Sequence, residues 1–150
     1  MKHTRIAPLV LGAATLMASG CGSSGSQSSA PGQVIVKANP ICLHATEALA
    51  GLYKVSNFKD IPPAAAKTAS EFRNASTELA NLKPPASMTS DWKVIVDGYQ
   101  TMATDIAELG EHAKVTTKPD VPVLAQLINA QHAIAVVASK RGIKDCATLS

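Results

Sequence analysis

Apolar side chains return every three to four positions in four stretches of this chain, and proline-containing breaks separate the stretches. That period is the signature of helices with one buried face. The first stretch carries Cys42, Ala45, Leu49, Leu52 and Ser56, with Tyr53 beside them. Asn39-Pro40 reads as its N-cap followed by proline at the first helical position. Asp60-Ile61-Pro62-Pro63 ends this helix and opens the second, striped by Ala65, Ala69, Phe72, Ser76, Leu79 and Leu82. Lys83-Pro84-Pro85 stops the second, because a residue before proline is pushed out of the helical region. The third has the clearest period: Trp92, Ile95, Tyr99, Met102, Ile106 and Leu109, flanked by Val96 and Ala103. Asp97, Thr101, Thr104, Asp105, Glu108 and Glu111 make its opposite, polar face. Ser87 or Thr89 is placed to cap it, and Asp91 suits the positive end of the helix dipole. Gly98, inside the stripe, suits close approach of a neighbouring helix. The fourth follows Thr116-Thr117-Lys118-Pro119, with Asp120 as its cap. Its buried stripe is expected to be Leu124, Leu127, Ile128, Gln131, Ile134, Ala135 and Ala138. Lys140 and Arg141 suit its negative end, and Gly142 is a natural stop. Gln33-Val34-Ile35-Val36-Lys37 is strand-like by composition. With no second strand to pair with, it is expected to be an extended lead-in over the helices. The fold class is therefore all-α, an up-down-up-down four-helix bundle.

The N-terminal pattern differs. Lys2 and Arg5 precede an apolar run from Ile6 to Met17, then the small residues Ala18, Ser19 and Gly20, then Cys21. This is an export signal with a small-residue cleavage site. The run is shorter than the ~20 residues a membrane span needs. Ala18-Ser19-Gly20-Cys21 resembles the lipobox of bacterial lipoproteins, with Ala18 standing where leucine is commoner. The resemblance implies cleavage before Cys21, acylation of its thiol, and anchoring on the extracytoplasmic face of the cell membrane. Residues 22–32 are Ser- and Gly-rich, the composition of a flexible tether. The expected division is a signal at 1–20, a lipidated Cys21 with its tether at 21–32, and the helical domain at 33–150.

That division changes the charge and cysteine arithmetic. The chain has 14 basic and 11 acidic residues. Without Lys2 and Arg5, twelve face eleven, and the basic residues are dispersed. A nucleic-acid surface calls for a dense basic patch with aromatics on which bases stack, so no nucleic-acid partner is expected. With Cys21 lipidated, Cys42 and Cys146 remain, near the two ends of the domain and in an oxidising compartment. A bridge between them closes the bundle. Free thiols and an intermolecular bridge are the alternatives.

The motifs of common chemistries are missing from the sequence: no His-Glu-x-x-His, no phosphate-cradling glycine loop, no Gly-x-Ser-x-Gly. No enzymatic activity, cofactor or metal site is expected. Met102 on the third stripe and His132 beside Ile128 and Ala135 make a candidate ligand pair, because bundles hold haem through such residues. Met102 as core filler and His132 as a boundary residue is the plainer expectation. His44 and His112 lie off the stripes and read as surface. The domain is similar to the small all-α lipoproteins and secreted proteins common in actinobacteria. The similarity rests on Cys42, Leu82-Lys83-Pro84-Pro85, Asp91-Trp92 and Cys146. Those motifs are structural and carry no site residues over. The expected role is a non-catalytic binding or structural module of the cell envelope, with an envelope protein as possible partner. The alternative is a carrier of a small hydrophobic ligand or haem.

Overall fold

The computed structural model describes residues 30–149; Cys21 and the expected export signal lie outside the described residues. Four long helices make the fold: α1 (Pro31–Tyr53), α2 (Ile61–Asn81), α3 (Thr89–His112) and α4 (Val121–Arg141). A short α5 (Lys144–Ala147) follows, and one-turn 3-10 segments at Phe58–Asp60 and Ala86–Met88 lead into α2 and α3. Among the described residues there is no strand. The all-α expectation is met.

Helix α1 corrects one expectation. Gln33–Lys37 is helical, and α1 begins at Pro31 and runs through Pro40. Packing overrides local propensity here. Val34 and Ala38 fall in phase with Cys42, Ala45 and Leu49, and all five are buried. Proline has no N–H to give the carbonyl four residues back. That carbonyl belongs to Val36, whose side chain is 71% exposed, so water is at hand on that side. Asn39 does not cap α1. Its Oδ1 accepts from the Asp145 N–H at 3.4 Å, at the start of α5.

Helices α2 and α3 share the densest part of the core. Trp92 Nε1 donates to the Leu79 carbonyl at 3.0 Å. Ser76 Oγ donates to the Val96 carbonyl at 3.1 Å. Phe72 and Tyr99 stack with ring centroids 5.3 Å apart. A Cβ placed on Gly110 would lie 2.8 Å from Ala65 Cβ. These contacts advance along α3 as they retreat along α2. Gly98 performs the same service toward α4, where an added Cβ would meet Ile134 Cγ1 at 2.6 Å.

Helix α3 lacks the expected side-chain cap from Ser87 or Thr89. Its first turn is held instead by Asp91, which accepts from Arg141 Nε at 2.6 Å and pairs with Lys140 at 3.2 Å. Arg141 also donates to the Ser87 carbonyl at 2.8 Å. Both ends of α4 are closed as the sequence suggests. Asp120 accepts from the Val123 N–H at 3.3 Å. Gly142 takes a left-handed conformation, φ 73°, and Ile143 N–H reaches back to the Ala138 carbonyl at 2.9 Å. This stop buries Ile143 and turns the chain into α5.

The turn delivers Cys146 to Cys42, and the two are disulfide-bonded across 104 residues of sequence with Cα atoms 4.9 Å apart. Thr46 Oγ1, also near this joint, donates to the Cys42 carbonyl at 2.9 Å. Helix α5 thus ties the first helix to the last.

Two sequence expectations about burial fail. Ile128 is 61% exposed and stands with Val121 and Val136 on the outer side of α4. From Val121 to Ser139 that helix has no charged residue, so its stripe is ambiguous by sequence. Mean hydropathy reaches 1.5 there, long and apolar enough by composition to cross a membrane, yet only a third of the window is buried. Asp105, assigned to the polar face of α3, is buried at 4% exposure.

Candidate ligand-binding cleft

A cavity of about 380 Å³ opens at one end of the domain, where α1 ends, α2 starts, α3 ends and α4 starts. Its apolar wall is Leu52, Phe58, Ile61, Ala65, Leu109 and Leu124. All but Ala65 are only half-buried, so the helices leave this apolar surface incompletely covered.

Polar groups hold the opposite wall. His112, in the last turn of α3, has Nε2 2.9 Å from the Lys118 carbonyl. Its Nδ1 stands 3.5 Å from Asp120 Oδ2. Lys118 N–H donates to Thr116 Oγ1 at 3.1 Å. Asp120 uses its other oxygen to cap α4. One imidazole and one carboxylate therefore fix the connection between α3 and α4 as a wall. The connection stands by hydrogen bonds, which do not require it to collapse onto the apolar residues behind it. Tyr53, at the end of α1, also lines the cleft. Its hydroxyl accepts from Gln131 Nε2 at 3.2 Å and keeps its own proton to donate.

The sequence-derived candidates fall elsewhere. Met102 is fully enclosed in the core, whereas His132 is exposed on the outer side of α4. The structure does not bring this pair together. Cys42 and Cys146 are brought together, in the disulfide. His44 is exposed, as expected. His112 is not a simple surface residue, and Tyr53 entered the sequence reading only as a flanking aromatic. The signal for His112 was its place immediately before the Thr116–Asp120 break, where a ring at a helix end can reach loop carbonyls. Among the described residues, no group of three His, Cys, Asp or Glu is placed to hold a metal ion.

Two buried polar atoms have no partner in the described structure: the Tyr99 hydroxyl and Asp105 Oδ2. Burial pushes the Tyr99 phenol well above its ordinary value, with a smaller contribution from the charge of Asp145. Burial also raises the Asp105 carboxyl, helped by Glu108. Asp91 moves the other way, held below the usual carboxylate range first by its hydrogen bond from Arg141 and then by Lys140.

Comparison with known proteins adds no identity: no family model, curated protein or solved structure matches this chain.

Proposed function

We propose that this chain is a lipid-anchored, extracytoplasmic helical domain acting as a non-catalytic binding or structural module of the cell envelope. Cys21 is the anchoring residue, and the four long helices run up-down-up-down. The antiparallel order of the contacts Trp92–Leu79 and Phe72–Tyr99 supports that topology. The observation that carries the binding role is the outer side of α4. Val121, Ile128 and Val136 are each more than half exposed on a helix with no charge over nineteen residues, Val121 to Ser139. A solvated face ordinarily alternates charge with small or polar residues, as the outer side of α3 does with Lys93 and Asp97. Apolar exposure of this kind suits an envelope protein partner.

The test has two parts. The full chain, expressed in a bacterium that processes lipoproteins, is expected to incorporate an alkynyl palmitate and to sediment with membranes. Cys21→Ser is expected to abolish the labelling, and unchanged labelling would defeat the anchor. A photo-crosslinking residue at Ile128 is expected to give a discrete adduct that the same residue at Asp97 does not.

A second reading, a carrier of a small hydrophobic ligand, is favoured by the apolar cleft beside Tyr53 and His112.

A further inference from the structure

We infer that the cleft at the α1 end binds one compact lipophilic molecule, mostly hydrocarbon, bearing a hydrogen-bond-accepting group. This deepens the carrier reading and rests on it. Three observations converge. The volume, about 380 Å³, lies within the ~300–1,000 Å³ range of small-molecule sites and exceeds the roughly 150 Å³ that suffices for benzene in an apolar cavity. The size therefore suits a compact ligand and not a folded partner. The apolar wall supplies the affinity, since Leu52, Phe58, Ile61, Leu109 and Leu124 each retain surface that a ligand would take from water.

The polar groups favour a ligand that accepts hydrogen bonds: Thr116, Thr117 and Lys118 line the cleft beside Tyr53, and all four carry groups able to donate. Both nitrogens of His112 face protein oxygens, and Asp120 is shared between His112 and the start of α4. Neither is free to demand a ligand donor. Tyr53 is different. Its oxygen already accepts from Gln131, so the group it can still satisfy is an acceptor such as a carbonyl, ether, hydroxyl or carboxylate oxygen.

The probe is N-phenyl-1-naphthylamine, titrated by fluorescence into the full chain carrying Cys21→Ser, which has no thiol to acylate. Saturable binding at one site is expected, with displacement by a medium-chain alcohol or by the corresponding carboxylate. Competition by both identifies the shared hydrocarbon and oxygen acceptor; preference for one tells a neutral from an anionic ligand. Ala113→Trp fills the cleft from the end of α3 and is expected to weaken the probe at least tenfold. Thr117→Trp does so from an exposed position and serves if Ala113→Trp fails to show native helical circular dichroism. Tyr53→Phe is expected to weaken the alcohol about two- to tenfold more than it weakens the probe, the share of one hydrogen bond. Non-saturable fluorescence, or a probe affinity that neither tryptophan variant weakens relative to the parent chain, overturns the proposal. Palmitate labelling at Cys21 is read separately, so a failed anchor and an empty cleft give different results.

Discussion

Asp91 and Asp105 share one helix but respond to pH in opposite directions. Asp91 has two cationic partners from α4, and its folded-state affinity for a proton is lowered. The stability it contributes is present above the ordinary carboxylate value, near 3.8, and disappears as pH falls through its folded value. Asp105 is buried with Oδ2 unpartnered, and its affinity for a proton is raised. Its contribution is present below 3.8 and is lost as pH rises through the raised value, because ionisation then charges a desolvated group. Urea unfolding between about pH 2 and about pH 8 separates them. Asp91→Asn is expected to flatten the acid limb alone, and Asp105→Asn the decline above it. Asp105→Leu is expected to stabilise the domain at neutral pH by ~1–3 kcal/mol, the cost of an unsatisfied buried polar group. A neutral-pH midpoint lowered by Asp105→Leu would overturn the assignment. The sequence put Asp105 on the wet side of α3 because its neighbours Thr101, Thr104 and Glu108 are polar. Helical phase alone does not tell an edge position from one covered by the next helix.

At the scale of the element, two glycines in α3 look alike in sequence but differ in what they face. A Cβ on Gly98 meets the terminal atoms of Ile134, which a rotamer change can move. A Cβ on Gly110 meets Ala65 Cβ, which has no rotamer to change. Alanine improves helix propensity by ~1 kcal/mol in both cases. Gly110→Ala is nevertheless expected to destabilise by ~1–3 kcal/mol through overpacking, and Gly98→Ala by less. The urea midpoints of the two variants, side by side, check the order. The elements themselves were largely legible. Prolines and capping residues mark the ends of α2, α3 and α4, because their backbone constraints act locally. The start of α1 was not legible, because its β-branched residues and Pro40 argue locally against a helix. What holds it helical is non-local: Val34 and Ala38 are buried, and Asn39 bonds to Asp145. Ile128 misled for the opposite reason: α4 has no charged residue from Val121 to Ser139 and carries valine and isoleucine on its outer side too, so its sequence offers little contrast from which to read the buried face.

At the scale of the whole molecule, the joint between Cys42 and Cys146 determines how far the denatured chain can expand. A closed loop of this length removes roughly 4.7 kcal/mol of entropy from the unfolded state in the simplest treatment. Cys42→Ala with Cys146→Ala is expected to cost ~2–5 kcal/mol, and dithiothreitol is expected to lower the wild-type urea midpoint but not that of the variant. An unresponsive wild type would show that the joint contributes little. The pairing was legible from cysteine position. The cleft was not, since Tyr53, His112 and Asp120 belong to three different segments and meet only through the packing of the helix ends. The unbroken run of α1 from Pro31 has a further consequence. At 1.5 Å per residue its 23 residues make a rod ~34 Å long. A chain moored at Cys21 is joined to the near tip of that rod, whereas Tyr53 and the cleft mouth sit at the far tip. Helix α1 is therefore a spacer, setting the cleft mouth ~34 Å from the end of the domain at which the proposed tether would join.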